Sequence, residues 1–264
     1  MFRDRYPAAW LFHHNTIRWP FNTLNPEEEP WAGPLFKEYP GQPAIELPVL
    51  SDLNLPLGQA IRRRLTCRSF SSSPLTLNEL STILAVGNGV EGVVQLGAHE
   101  HLERPMPSGG GLYPLEFYLI VRQVEGLAPG LYHYAPLMHQ LEQLKLMEFP
   151  DTFISQIFMN QPYLVGARVV LLITAMVERS MHKYGDRGYR YILLEAGHAA
   201  QNMCLAAASL NLGVLPLGGF FDSFVAELFE INQEEEAILY ALGFGQPATD
   251  DRVEVRNLAA LLGN

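Results

Sequence analysis

The chain has 264 residues, 48% hydrophobic and 17% charged, with 18 lysines and arginines against 28 acids and a formal net charge of −10. That is a globular composition with material for a substantial core, and the acidic balance argues against nucleic-acid binding, which needs clustered cations. The longest apolar runs, such as "RVVLLITAMV" from Arg168, fall short of the ~20 residues of a membrane span, and "MFRDRYPAAW" lacks the apolar core of a signal peptide, so no membrane partner and a cytoplasmic location are expected.

Residues 1–56 hold nine of the nineteen prolines and all three tryptophans, Trp10, Trp19 and Trp31. Proline removes backbone donors and biases its predecessor toward extended geometry, so long helices are excluded there. So aromatic a stretch is equally unlike a solvated linker. It reads as an ordered arm packed along the main body or a partner subunit, ahead of a domain over 57–264.

From Leu57 the pattern becomes regular. "LGQAIRRRL" predicts a helix with Leu57, Ile61 and Leu65 on one face, and "TLNELSTILAVG" a second, with a capping box at Thr76 and Glu79 and a stop at Gly87. "HEH" at His99 to His101 reads as a polar loop rather than a metal site, since no further ligand stands at suitable spacing. Cys67 and Cys204 are too few for a disulfide framework. "EFYLIVRQ", "GLYHYA", "HQLEQL" and "ARVVLLITA" read as strands, and "YRYILLEAGHAAQNMCLAAASLNLG" as a long helix, apolar on most sides, ended by Gly213. "VLPLGGF" follows as a loop, "DSFVAELFE" as a helix capped by Asp222, and "AILYALGFGQP" as a last strand. Without regular βαβ repetition the fold class is α+β, a central mixed sheet flanked by helices, and not a Rossmann sheet.

Four stretches carry chemistry. In "RRRLTCRSF", Arg64, Thr66 and Arg68 alternate so that two guanidiniums and a hydroxyl can meet one phosphate; the alternative is a solvated basic helix end. In "PSGGGLYPLE", Ser108, Gly109 and Gly110 imply a sharp turn, a close ligand, or both. In "LPLGGF", Pro216, Leu217, Gly218 and Gly219 present bare backbone suited to a planar heteroaromatic ring. No lysine follows these glycines and no GxGxxG follows a strand, so neither a Walker loop nor a dinucleotide fold is indicated. In "HKYGDRGYR", Lys183 among Arg187, Arg190 and aromatics is a candidate general base if burial and like charge lower its proton affinity. The alternative is a surface lysine at a helix start.

Taken in order, Arg-x-Thr-x-Arg-x-Phe, "PSGGGLYPLEFYLIV", "KYGDRGYRYILLEAGHAAQN" and "LPLGGF" resemble the nitroreductase superfamily of FMN enzymes. More narrowly they resemble its SagB-type, McbC-like dehydrogenases. The resemblance implies a homodimer with FMN at the subunit interface. It assigns Arg64, Thr66 and Arg68 to the FMN phosphate, and Ser108, Gly109 and Gly110 to the flavin ring or ribityl chain. Pro216, Leu217, Gly218 and Gly219 become the loop whose amide faces flavin N5. Lys183 and Tyr184 become the pair that abstracts a proton while a peptide- or carrier-borne thiazoline or oxazoline is oxidised to the azole, alone or beside a cyclodehydratase. Two features depart from the pattern. Gln246 stands where many relatives have a basic residue, with Arg252 as a possible substitute, and Leu65 and Cys67 replace common Arg or Ser neighbours. The alternatives are an NAD(P)H-dependent quinone or nitroaromatic reductase on the same fold, and a noncatalytic scaffold of a biosynthetic complex.

Overall fold

A computed structural model describes residues 2–18, 31, 33–96 and 99–248; Trp19 and Arg252 lie outside them. The elements are α1 (Phe2–Arg5), α2 (Pro7–Asn15), β1 (Ala44–Glu46), α3 (Leu57–Arg63), α4 (Leu77–Asn88), β2 (Gly92–Leu96), β3 (His99–Glu103), β4 (Leu115–Val121), β5 (Gly130–Ala135), β6 (Gln140–Leu146), α5 (Asp151–Ile157), β7 (Val169–Met176), α6 (Val177–Tyr184), α7 (Asp186–Ser209), β8 (Gly213–Leu217), α8 (Asp222–Phe229) and β9 (Glu236–Gly245). The main sheet has the order β1-β6-β5-β4-β7-β9-β8. Its seven strands pair antiparallel throughout. Among the described residues, parallel pairing is confined to the isolated bridges Thr66 to Val214 and Leu75 to Val124.

Alternation along the strands divides the core. Leu115, Phe117, Leu119 and Val121 of β4 face one side, where Leu80, Ile83 and Leu84 of α4 and Ile192, Ala199 and Met203 of α7 pack. Tyr118 and Ile120 face the other, against Ile154 and Ile157 of α5 and Val225 and Phe229 of α8. A sheet covered by helices on both faces needs strands apolar on both faces, which is why "EFYLIV" and "VVLLITA" read as continuous apolar runs. Each fully buried Leu or Phe there contributes roughly 1.5–3 kcal/mol.

Several elements differ from the sequence expectation. "VLPL" is strand β8 and not a loop. It is the edge of the main sheet, and an edge tolerates Pro216 because the missing N–H leaves no ladder bond unmade. The long helix therefore stops earlier, at Ser209, with Asn211 turning the chain at φ 59° and Gly213 already in the strand. "HEH" is not a loop but part of β3, paired antiparallel with β2. Helix α4 carries the expected capping box, Thr76 accepting from the Glu79 amide, but runs through Gly87 to a cap at Gly89. A Cβ on Gly87 would lie 2.8 Å from Met203, so this glycine serves close helix packing. In α8 the cap is Phe221, and Asp222 sits in the first turn. Leu57, Ile61 and Leu65, the expected inner face of α3, are 67%, 55% and 41% exposed.

The arm is tied to this body. β1 pairs with β6, and the strap before it, residues 33–43, lies over a buried polar cluster on the α5/α8 side. His133 is at its centre, donating from Nδ1 to Glu142 at 2.7 Å and from Nε2 to Glu116 at 3.2 Å. With a carboxylate at each ring nitrogen, the ring must carry both protons. Burial opposes that charge, yet the hydrogen bonds and charges of Glu116 and Glu142 outweigh it and raise the His133 pKa above its ordinary 6.5. The strap adds Lys37, 2.5 Å from Glu236, and Tyr39, whose hydroxyl is 2.8 Å from that of Tyr118.

A raised histidine pKa contributes stability fully present below 6.5 and lost as pH rises through the folded value. The unfolding midpoint is therefore expected to decline on the alkaline side of neutrality. A His133→Gln variant, less stable at neutral pH, should lack that part of the decline. An identical alkaline slope in both proteins would remove His133 as its source.

Candidate active site

The glycine run forms a single helical turn, Gly109–Gly111, in which Gly110 and Gly111 take φ values of 72° and 66° and Tyr113 follows at 45°. Left-handed backbone disfavours a Cβ, which accounts for the second and third glycines. The turn is also crowded. A Cβ at Gly110 would stand 2.5 Å from the Tyr184 hydroxyl and 3.0 Å from Lys183 Nζ, and one at Gly109 would stand 3.2 Å from the Tyr191 ring. The "PSGGG" and "KY" motifs thus meet, the missing Cβ of Gly110 leaving the gap on which an amine and a phenol converge.

Beneath the turn lies a residue that the sequence reading left without a role. Ser108 Oγ accepts from the Tyr113 amide at 2.9 Å and donates to Glu195 Oε2 at 2.6 Å. Glu195 is 2% exposed, its Oε1 has no partner, and burial pushes its carboxyl up to about 7 against the downward pull of Ser108 and Arg104. The signal was available: Ile192, Glu195, Ala196 and Ala199 share the inward stripe of α7, and an acid on an apolar stripe marks a buried partner.

Lys183 is exposed, not the part-buried residue that the sequence suggested, and Arg187 and Arg190 bond to the arm. Arg187 donates to the Thr16 carbonyl at 2.6 Å, and Arg190 donates to the Thr16 hydroxyl. The arm also touches the pair directly, Arg18 donating to the Tyr184 carbonyl at 2.6 Å. Tyr184 stacks edge-on against Tyr191 with ring centroids 5.0 Å apart.

Topology explains the meeting. The start of β4 pairs with the end of β7, Leu115 opposite Ala175, and the end of β7 with the start of β9, Met176 opposite Glu236. The glycine turn and α6 leave the same end of the sheet, and β8 runs toward that end, its last residue Leu217 opposite Ala241. In the loop after β8, Gly218 is exposed with open space where a Cβ would be, and Gly219 is close to Gln161.

The first basic motif lies at the other end. Thr66 bridges Val214, and the Cys67 amide donates to the Val214 carbonyl at 2.9 Å, so the segment runs beside the start of β8. Arg64, Thr66 and Cys67, with Cys204 and Ala208 of α7, line a cavity of about 280 Å³. Arg68 is exposed and does not line it. Cys67 is buried and donates to the Ser69 carbonyl at 3.2 Å. Burial pushes the Cys204 thiol up to about 11. Gln246 donates to Glu79 at 3.3 Å and so faces the α4 capping box. Along α7, Glu195 and Cys204 are about 13 Å apart at 1.5 Å per residue, so one helix separates the glycine turn from the basic cavity. Among the described residues no cluster of His, Cys, Asp and Glu has metal-site geometry, and no helix is long and apolar enough to cross a membrane.

An antiparallel sheet between two helical layers, with a glycine turn, a basic cavity and a Lys-Tyr pair at its ends, defines a class of oxidoreductase. The nitroreductase family pattern matches residues 61–246, and the chain belongs to the nitroreductase family. It is 38% identical over 189 residues, 72% of this chain and 90% of the relative, to a protein of Methanocaldococcus jannaschii named as a nitroreductase. It is 32% identical over 155 residues to the microcin B17-processing protein McbC of Escherichia coli, covering 57% of each chain, so it spans under two thirds of that relative. It superposes with a TM-score of 0.61 and 25% identity on a chain of the E. coli microcin synthetase McbBCD complex with truncated pro-MccB17 bound, covering 94% of this chain and 86% of that one.

Proposed function

We propose that the protein is an FMN-dependent dehydrogenase that oxidises a thiazoline or oxazoline in a peptide or carrier-bound substrate to the azole. The observation that carries the reading is the convergence of Lys183 Nζ and the Tyr184 hydroxyl on the missing Cβ of Gly110. A proton-accepting pair at a gap that only glycine can leave is what C–H abstraction requires and what a quinone reductase does not need. The likeness to a microcin B17-processing protein and to a chain of the microcin synthetase complex supports a peptide as substrate and association with such a complex.

The residues present fit FMN. Arg64 and Thr66 offer a guanidinium and a hydroxyl to a phosphate in an otherwise acidic protein. At Gly218 the backbone leaves a flat ring room to approach, since a Cβ there would meet nothing in the chain. Bound there, FMN would supply the two-electron acceptor. The chain's own part is to hold the ring carbon near Lys183 and Tyr184 and to take its proton.

The basic cavity and the glycine turn lie toward opposite ends of the sheet. On the homodimer reading, the cavity and β8 of one copy face the glycine turn of the other. The exposed apolar residues Leu57 and Ile61 of α3, Leu65 just beyond it, and Leu193 and Leu194 of α7 suit such an interface.

The direct test incubates the purified protein with a peptide carrying one thiazoline and follows loss of two hydrogens by mass spectrometry. No loss, combined with rapid NAD(P)H consumption in the presence of menadione, would transfer the assignment to a reductase. At the cofactor level, Arg64→Ala is expected to weaken FMN binding by about 1.5–3 kcal/mol, the range for hydrogen bonds to charged groups. Arg68→Ala should have a smaller effect, because Arg68 lies outside the cavity. Equal losses in the two variants, read from flavin dissociation constants, would place the phosphate between them.

A further inference from the structure

Arg179 belongs to neither the basic cavity nor the Lys-Tyr pair, yet it bonds to the exit of the glycine turn, to β4 and to the strap. It lies on α6 with its side chain 2% exposed. Its Nη1 is 2.7 Å from Glu116 Oε1 and donates to the Tyr113 carbonyl at 3.3 Å, and its Nε donates to the Pro34 carbonyl at 3.2 Å. The three acceptors come from different elements. Tyr113 is the exit of the glycine turn, Glu116 is the second residue of β4, and Pro34 belongs to the strap. Lys183 is four residues further along α6, on the same helical face.

The exit of the turn needs such a tie. Tyr113 is held at φ 45°, a conformation that a bulky residue keeps only when its surroundings impose it. The Ser108 hydroxyl fixes its amide from one side, and Arg179 takes its carbonyl from the other. The Met176 amide, one residue before α6, donates to the Pro114 carbonyl at 2.9 Å, so helix and turn are bonded at two neighbouring points. The strap closes the arrangement from outside. Besides the Pro34 carbonyl it brings the Lys37 amide to Glu116 Oε1 at 3.3 Å, the oxygen that Arg179 also holds. A planar guanidinium with donors in a fixed fork serves three acceptors in different directions, and a lysine ammonium reproduces the charge but not the fork.

We propose that Arg179 is a positioning residue, a clamp that sets the separation between α6, with Lys183 and Tyr184, and the glycine turn, with the strap as its third anchor. This rests on the proton-abstraction reading of Lys183 and Tyr184. Its consequence is specific: loss of the clamp displaces the reacting groups without removing any of them. A displacement of the order of 1 Å lowers rate by about 10²-fold, with little change in substrate affinity.

The experiment compares Arg179→Lys, Lys183→Ala, Tyr184→Phe and the double variants as full-length flavin-loaded proteins, with a synthetic thiazoline peptide as the probe. Arg179→Lys is expected to keep stoichiometric flavin and the parental flavin absorption. Its kcat should fall by about 10²-fold while KM changes by less than about threefold. In the background of whichever of Lys183→Ala and Tyr184→Phe carries the larger loss, it should add no further loss, because the group being positioned is gone. Hydrogen exchange should rise at residues 181–185 and 109–113 and stay at the parental level in β4 and β7. An unchanged kcat, multiplicative losses in that double variant, or uniform acceleration of exchange would each overturn the clamp.

If Arg179→Lys does not fold, the pair Arg179→Gln with Glu116→Gln removes both buried charges together and is read in the same way. Should Lys183→Ala and Tyr184→Phe both oxidise the peptide at the parental rate, the proton-abstraction reading fails. The exchange pattern then still decides whether Arg179 holds the helix.

Discussion

Replacing Gly110 by alanine is expected to leave the fold intact and to lower azoline oxidation by about 10²-fold, the loss that follows a small displacement of reacting groups. Two effects act on this residue and they differ in size. The left-handed φ of 72° costs a Cβ-bearing residue about 1–2 kcal/mol, which a domain of this size tolerates. The new methyl would also stand 2.5 Å from the Tyr184 hydroxyl and 3.0 Å from Lys183 Nζ. Both are far ends of flexible side chains, so they swing aside and the backbone survives, but they leave the position on which the proposed chemistry depends. Gly218→Ala is the control for the cofactor side, since a Cβ there meets nothing in the chain. It should leave the unfolding midpoint unchanged while lowering flavin retention. Circular dichroism, flavin content and steady-state rates on both variants check the pair of expectations. A Gly110→Ala protein with the parental rate would mean that the glycine serves the turn alone, and a Gly218→Ala protein with full flavin would move the ring away from that loop.

What the sequence disclosed and what it hid follow from how far apart the determining contacts lie. Strands β4, β5, β6 and β7 and the α4 capping box are local patterns, apolar runs and a Thr-Glu spacing, and they stand where the patterns put them. β8 was hidden because its identity comes from pairing with β9 and from an edge position that tolerates Pro216, neither visible in five residues. The α6 segment "VERSMHKY" is short and largely polar, and its one buried cation, Arg179, makes sense only beside Glu116, in a different element. The motifs for turn, cavity and Lys-Tyr pair were legible as stretches. Their grouping into one end of the sheet for the turn and pair, and the other for the cavity, came from topology. Burial of Lys183 was not legible from its neighbours in sequence: the residue is exposed, and the bonds of the adjacent arginines run to a distant segment. Arg187 and Arg190 bond Thr16 in the arm.

Lys183→Ala and Tyr184→Phe are expected to retain flavin and remain reducible by dithionite, yet to lose azole formation by about 10²- to 10⁴-fold, the usual contribution of a positioned general base. The exposure of Lys183 sharpens the expectation, because burial no longer singles out the amine and either member of the pair is in place to take the proton. The two variants divide the possibilities. If the amine is the base, Lys183→Ala carries the larger loss, and Tyr184→Phe, which removes only the hydroxyl partner, loses less and keeps the same pH limb. If the phenol is the base, the order reverses and the limb disappears in Tyr184→Phe. Rate against pH on the parent and both variants, with a thiazoline peptide at saturating concentration, distinguishes them. The arm enters through Arg18, which donates to the Tyr184 carbonyl at 2.6 Å. Arg18→Ala should therefore weaken the rate less than either substitution in the pair and leave the limb in place. If both Lys183→Ala and Tyr184→Phe form the azole at the parental rate, the pair is a surface feature of the turn, and the reductase activity with menadione becomes the reading to pursue.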